Sequence, residues 1–249
     1  MQDYKQRRGN ADIDFYTAPT PNGRKVAIFL EEAGLDYTLV PVDTTKGEQF
    51  FPEYLEINPN NKIPTIVDHA PPWGGAAFAV FESGAILLHL AERCGKFLPS
   101  DPARRQIAIQ WLMWQMGGFG PMLGQAHHFR LYAKERIEYC VNRYTSEAQR
   151  LYRVLDRRLA EHEFLADEYS IADMATWPWV VHRKSQGINL DDFPNVQRWN
   201  DAIKVRPGVR RGFDLLREKV EQSPITEKAW DTLFGAGQFG QGNVADKSK

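Results

Sequence analysis

Cysteine is scarce in this chain of 249 residues, where only Cys94 and Cys140 occur, far apart in sequence. Two such residues are too few for a disulfide scaffold and do not form a closely spaced metal-binding pair. The adjacent His127 and His128 add no metal site, because neighbouring residues of a helix point about 100° apart. We therefore predict no metal site, and the low cysteine content favours a reducing, cytoplasmic location.

Long apolar runs and a charge excess of one sign are lacking too. The longest apolar stretches, such as residues 76–81, fall far short of the roughly 20 residues of a membrane span. Residues 1–12 are polar and do not resemble a signal peptide. Lys and Arg total 31 against 32 acidic residues, so no basic surface for nucleic acid is indicated. A membrane or nucleic-acid partner is therefore not expected.

The first part of the chain has a mixed α/β pattern. Apolar residues spaced from Val26 to Ala33 predict an amphipathic helix that ends at Gly34. A second helix is expected with Ser83 as its N-cap and Gly95 at its end. Runs rich in β-branched and aromatic residues predict strands at residues 13–16, 37–42, 63–67 and 77–81. The order βαβ followed by ββα places the first domain at residues 13–94, after a polar extension of residues 1–12.

The rest of the chain is expected to be helical. Residues 95–102 contain two prolines and predict a linker, and helical periodicity starting near Ala133 and elsewhere indicates an all-helical domain over residues 103–222. The sequence from Ser170 to Asp173 predicts a capping box. Residues 223–249 lose periodicity, and we expect a loosely ordered tail.

Three short segments could carry chemistry. Thr20-Pro21-Asn22-Gly23 lies where a strand ends and a helix begins, so it could either cap the helix or hold a thiolate. Lys62-Ile63-Pro64-Thr65 opens a strand, with the Ile63–Pro64 bond in either isomer. Phe81-Glu82-Ser83-Gly84 begins a helix and could hold a carboxylate or act only as a cap. The pattern of each segment alone leaves both readings open.

Together, in this order and spacing, the segments resemble the cytosolic glutathione transferases, most closely their Nu class. The resemblance spans about residues 13–215 and includes Asn58-Pro59-Asn60-Asn61 and Ser170-Ile171-Ala172-Asp173. It implies an α/β thioredoxin-like domain followed by an all-α helical-bundle domain, a homodimer, and a glutathione site where the domains meet.

The resemblance also implies a role for each matching residue. Thr20 and Asn22 would be catalytic and meet the glutathione sulfur, and Pro64 would be the family's cis-proline. The remaining glutathione-binding residues would be Gln49 and Ile63 for the peptide backbone, Glu82 and Ser83 for the γ-glutamyl end, and Arg143 for a second glutathione.

The activity that the resemblance implies is reduction of disulfides by glutathione, with two molecules or the disulfide form in one site. Two alternatives remain: conjugation of glutathione to an electrophile, and a non-catalytic glutathione-sensing or partner-binding module. Tyr16 is an alternative partner for the sulfur, although core packing is the commoner role for such a residue. Cys94 is expected at a helix end and Cys140 inside a helix, so the reactive sulfur is expected to come from glutathione.

Overall fold

The structure is a computed structural model that describes residues 6–219 and 225–239. Its first part holds a sheet of four strands in the order β2-β1-β3-β4. β2 runs parallel to β1, whereas β3 and β4 are antiparallel to their neighbours. The strands are β1 (Ile13–Thr17), β2 (Thr38–Pro41), β3 (Thr65–Asp68) and β4 (Phe78–Phe81), and the helices of this part are α1 (Pro21–Ala33), α2 (Pro52–Ile57) and α3 (Ser83–Cys94). The predicted thioredoxin-like α/β arrangement is confirmed.

Helices make up the second part. They are α4 (Pro102–Trp114), α5 (Gly120–His127), α6 (Glu138–Glu161), α7 (Ile171–Val181), α8 (Pro194–Lys204), α9 (Pro207–Asp214) and α10 (Glu227–Phe234). Two π-helical turns, Gln115–Phe119 and His128–Tyr132, flank α5. None of the helices in residues 6–219 and 225–239 is both long and apolar enough to cross a bilayer.

α1 joins the two parts of the molecule. Thr20 caps its start, Pro21 occupies its first turn, and Gly34 ends it with a left-handed φ of 66°. The buried side chains of α1 belong to one apolar core that also includes residues of α4 to α9. α9 approaches closely at Gly212, where a Cβ would lie 2.6 Å from the backbone of Ile28. A separate core cluster of Tyr16, Val42, Tyr54, Ile57 and Val67 brings together residues of β1, α2 and β3.

Three local boundaries differ from those expected from the sequence. The helix expected from Ala133 begins at Glu138, and Cys140 lies inside it as expected, in its first turn. The linker expected at residues 95–102 ends with Pro102 already in α4. Residues 227–234 of the expected loose tail form α10, because the Trp230 indole donates to the Tyr132 carbonyl at 2.6 Å. Residues 1–5, 220–224 and 240–249 of the expected extension, helical domain and tail lie outside the described residues.

Candidate functional site

The N-terminus of α1 holds the first predicted site residue. The Thr20 hydroxyl oxygen accepts a hydrogen bond of 3.2 Å from the backbone N–H of Gly23. This bond uses a lone pair and leaves the hydroxyl proton available as a donor. Gly23 has no room for a side chain, since a Cβ there would lie 2.3 Å from the Ala18 carbonyl oxygen. The capping role and a donor role for Thr20 are therefore compatible.

Asn22 lies in the first turn of α1, and α7 orients its side chain. The Trp179 indole N–H donates to Asn22 Oδ1 at 3.3 Å. Because the carbonyl side of the amide faces Trp179, the NH₂ side is left to act as a donor. The Trp179 ring reaches this place over Gly120 and Gly124, where a Cβ would lie 3.5 and 3.3 Å from ring atoms. The two glycines thus let α5 pack closely beneath the indole.

The turn before β3 contains the only cis peptide bond in the described part of the chain, Ile63–Pro64. The Tyr54 hydroxyl donates to the Lys62 carbonyl at 3.0 Å, and the Asn58 amide donates to Thr65 Oγ1 at 2.8 Å. These bonds connect α2 to both sides of the Ile63–Pro64 bond. The isomer that the resemblance implies for Pro64 is the one observed.

The start of α3 differs from the prediction. Glu82, and not Ser83, is the N-cap residue, and it has a positive φ of 69°. The exposed Glu82 side chain accepts a hydrogen bond from the Asn60 amide at 3.3 Å. Ser83 is buried, and its hydroxyl accepts from the Lys25 ammonium at 3.2 Å instead of capping the helix backbone. A positive φ at a non-glycine residue costs free energy, so the surrounding structure holds Glu82 in this conformation.

Gln49 lies in a 3₁₀ turn, Glu48–Phe50, and is only 5% exposed. Its Nε2 donates to the Thr44 carbonyl at 3.2 Å, whereas its buried Oε1 has no hydrogen-bond partner. A buried acceptor without a donor costs free energy. Gln49 is therefore suited to accept a bond from a ligand N–H, such as that of a peptide.

Arg143 lies on the first half of α6, and its side chain is 53% exposed. It forms an ion pair of 3.5 Å with Glu147 one helical turn later. No contact in the described residues joins Arg143 to Thr20, Asn22 or the other predicted site residues. Its assignment to a second ligand stays a prediction.

Tyr16 and the two cysteines are less suited to reaction chemistry. Tyr16 is fully buried against Tyr54, and its hydroxyl accepts a bond of 3.3 Å from the Arg8 guanidinium. This is the core role that the sequence left as the commoner alternative. Cys94 and Cys140 are free and half-buried. Within the described residues no group of three or more potential metal ligands occurs.

Sequence reasoning missed Trp179, Lys25 and Gln115. Lys25 is 1% exposed and donates to Gln115 Oε1 at 2.8 Å, and burial lowers the pKa of its ammonium to about 7. Sequence alone offered only a weak signal, a lysine among the apolar residues of α1. Gln115 lies on the π-helical turn, which no periodicity marked, and Trp179 lies more than 150 residues from Asn22.

Two family models match the chain. The model described as "Glutathione S-transferase, N-terminal domain" matches residues 11–92, and "Glutathione S-transferase, C-terminal domain" matches residues 116–207. A relative from Escherichia coli K12, "Disulfide-bond oxidoreductase YfcG", is 55% identical over 209 residues, which are 84% of this chain and 96% of the relative. YghU of the same strain, also called a disulfide-bond oxidoreductase, is 43% identical over 82% of this chain and 75% of its own.

Solved structures with a similar fold contain ligands. A glutathione transferase from Burkholderia graminis has two glutathione molecules bound per subunit, with a TM-score of 0.77 and 45% identity. The match covers 82% of this chain and 88% of that one. A glutathione transferase from Pseudomonas putida, with one glutathione disulfide per subunit, has a TM-score of 0.79 and 42% identity over 84% of this chain and 94% of its own.

Proposed function

The chain belongs to the glutathione transferase superfamily, and from this premise we propose that it is a glutathione-dependent disulfide-bond reductase. The observation that carries the proposal is the paired donor arrangement at the start of α1. The Thr20 hydroxyl is held by the Gly23 N–H yet keeps its proton, and the Asn22 amide is turned by Trp179 so that its NH₂ can donate. These two donors would meet the sulfur of glutathione.

Other residues would bind the peptide. The unpaired Oε1 of Gln49 would accept a bond from the glutathione backbone, and the backbone of Ile63 next to Pro64 would pair with it. At the start of α3 the Glu82 carboxylate suits the γ-glutamyl ammonium. The Ser83 hydroxyl and the adjacent helix N-terminus suit the γ-glutamyl carboxylate.

The energetics of thiolate formation favour this assignment. Lowering a thiol pKa from about 8.5 to about 6.5 requires about 2.7 kcal/mol, at 1.36 kcal/mol per unit. A hydrogen bond from Thr20 to a charged sulfur contributes about 1.5–3 kcal/mol, and the dipole of α1 adds about 0.3–1 kcal/mol. No protein cysteine is needed as the nucleophile.

The proposed reaction is thiol–disulfide exchange. The glutathione thiolate attacks one sulfur of the substrate disulfide, and the other sulfur leaves as a thiolate that takes up a proton. A second glutathione thiolate then attacks the mixed disulfide, which yields glutathione disulfide and the second substrate thiol. Arg143 would bind this second glutathione. Two glutathione molecules are oxidised for each disulfide reduced.

A homodimer is part of the proposal. Trp73, 63% exposed, and Phe78, 46% exposed, lie edge to face with ring centroids 5.1 Å apart. They lie on and beside β4, which is an edge strand of the sheet. An exposed aromatic pair of this kind is typical of protein interfaces, and a second copy of the chain is the partner that the family implies.

Substitution of Thr20 tests the function. Thr20→Ala should lower kcat/KM for glutathione-dependent reduction of a small disulfide by about 10- to 100-fold, because one charge-assisted hydrogen bond is lost. Thr20→Ser keeps both the capping oxygen and the hydroxyl donor, so its kcat/KM should stay within a few-fold of the native value. Thr20→Asp still caps α1 but has no hydroxyl donor, so it should be folded and nearly inactive.

The same proteins should be assayed with an aryl halide. Faster turnover of the halide than of the disulfide would favour conjugation as the activity. Saturable glutathione binding without turnover of either substrate would favour a non-catalytic module. Equal rates for Thr20→Ala and the native protein would remove Thr20 from the mechanism.

A further inference from the structure

Lys25 is a buried ammonium with only neutral hydrogen-bond partners. It lies on α1, one turn after Asn22, and is 1% exposed. Its Nζ donates to Gln115 Oε1 at 2.8 Å, Ser83 Oγ at 3.2 Å and Met116 Sδ at 3.4 Å. No carboxylate of the described residues forms an ion pair with it. A buried charge is normally paired, so this arrangement calls for an anion close by.

The charged groups around Lys25 do not supply that anion directly. Glu82, the N-cap of α3, raises the pKa of Lys25 through its charge, but its side chain is exposed and bonds with Asn60. The π-helical turn Gln115–Phe119 brings no titratable group. Burial is the larger influence and lowers the pKa to about 7.

The charged residues of the other helices packed on α1 bind elsewhere. On α7, Asp173 accepts from the Trp199 indole, and His182 at the end of that helix contacts Arg24. The charged residues at the start of α9 and on it also bond elsewhere. The pairs are Arg206 with Glu32, Arg211 with Glu31, Asp214 with Arg217, and Arg210 with the Lys204 carbonyl.

Ser83 is the link between Lys25 and a ligand. Because the Ser83 oxygen accepts from Lys25, its own proton is free to be donated, and at present it points to the weak acceptor Met116 Sδ at 3.5 Å. A carboxylate oxygen is a much stronger acceptor than a thioether sulfur. A carboxylate bonded to Ser83 would lie about 4–6 Å from the Lys25 nitrogen, a range in which opposite charges stabilise each other strongly.

We propose that Lys25 is a positioning residue that holds Ser83 and supplies the positive charge against which the γ-glutamyl carboxylate of glutathione binds. This inference rests on the proposed function, because it needs glutathione at the start of α3. Thermodynamic linkage then makes the effect reciprocal: the bound carboxylate raises the pKa of Lys25, so the protein takes up a proton on binding above pH 7. The affinity for a glutathione analogue that has no thiol therefore falls as the pH rises above 7, whereas glutathione itself also has a thiol whose ionisation acts in the opposite direction.

Calorimetry with S-methylglutathione tests the inference, since this analogue has no thiol to ionise. Titrations at pH 8 in buffers of different ionisation enthalpy give the number of protons exchanged per ligand. The ligand's own amino group can take up protons in every variant, so the difference between proteins is the readout: the native protein should take up about 0.4 of a proton more per ligand than Lys25→Met or Lys25→Arg. Lys25→Met should bind about tenfold more weakly at pH 6.5, and Lys25→Arg should restore most of that affinity.

A matched control is Lys96→Met, because Lys96 donates to the Ala33 carbonyl at the opposite end of α1. It should keep the native affinity and proton uptake. Circular dichroism should show each variant folded. A native protein that binds S-methylglutathione with no proton uptake, or a Lys25→Met variant with native uptake, would overturn the role of Lys25 while leaving the proposed function in place. Absence of S-methylglutathione and glutathione binding by the native protein at every pH would instead refute the proposed function, and this inference with it.

Discussion

Asn22 has an amide that can face the sulfur of glutathione in either of two orientations, and only one of them places a donor there. The hydrogen bond from Trp179 selects that orientation, so in the proposed mechanism an indole on α7 would orient the donor at the start of α1. Thr20 needs no such partner, because its hydroxyl rotates freely around the fixed oxygen. The proposed arrangement of donors thus depends on one residue from the helical part of the molecule.

Replacement of Trp179 by Phe should weaken the disulfide reductase activity without unfolding the protein. The ring is kept but the indole N–H is lost, so the Asn22 amide is no longer oriented. Since one neutral hydrogen bond is worth about 0.5–1.5 kcal/mol, kcat/KM should fall by about 2- to 10-fold. Steady-state kinetics with a small disulfide measure the effect.

Trp177→Phe is the matched control two residues earlier on α7. It removes an indole bond of 3.1 Å to the buried Asn200 and should lower the free energy of unfolding, with kcat/KM unchanged. If Trp177→Phe and Trp179→Phe reduced activity equally, the effect would be a general one of α7 and the specific role of Trp179 would fail.

Local patterns predicted the helix caps that depend on neighbouring residues in sequence, whereas the proposed site roles came from the family resemblance. The cap at the start of α1 was expected from the pattern and is Thr20, and the capping box of Ser170 and Asp173 is confirmed. Ser83 was misassigned as a cap, because its hydroxyl bonds with Lys25, 58 residues earlier in the chain. A tertiary contact of this kind leaves no periodic signal.

At the level of elements, β3 and α3 are joined by a buried carboxylate. Asp68, at the end of β3, accepts from the Arg93 guanidinium at 2.7 Å and the His89 ring at 2.8 Å. Burial alone would raise the pKa of Asp68, but the hydrogen bonds from His89 and the backbone of Ala70 and the charge of Arg93 hold it below its ordinary value. The ionised carboxylate therefore stabilises the α/β part.

Asp68→Asn should lower the free energy of unfolding by about 2–4 kcal/mol at pH 7, because charge-assisted bonds are lost in a buried site. A carboxyl whose folded pKa is depressed gives its full stabilisation above the unfolded pKa, near 4, and loses it as the pH falls through the folded value. The difference between native and variant proteins should thus be constant from pH 5 to 7 and shrink below pH 4. Urea titrations from pH 2 to 7 measure it.

Asp12→Asn is the control substitution for Asp68→Asn. Asp12 also faces Arg93, at 3.6 Å, but its side chain is 47% exposed. An exposed ion pair contributes little, so the change should stay within about 0.5 kcal/mol at every pH. A difference for Asp68→Asn that grew below pH 4 would contradict the assigned pKa direction.

At the scale of the whole molecule, the sequence indicates where the α/β part gives way to the helical part. It does not indicate helix α10 near the end of the described chain. The change from alternating strands to helical periodicity was visible in the sequence, because each pattern reflects which face is buried. α10 was missed because its order comes from distant contacts, such as Phe234 stacked on Tyr132 at 5.3 Å. Eight residues with one cap carry too little intrinsic helicity to be recognised without them.

The exposed aromatic pair beside β4 yields a prediction about assembly. Trp73→Glu should convert the proposed homodimer into a monomer, since it places a charge in an apolar contact while changing a side chain that is 63% exposed in the single chain. Sedimentation velocity over a range of concentrations should show the native mass halved, with an unchanged far-UV spectrum. Val205→Glu alters another exposed apolar residue, 54% exposed at the end of α8, and should leave the dimer intact. A Trp73→Glu protein that still sediments as a dimer would place the interface elsewhere, and a monomeric native protein would refute the dimer itself.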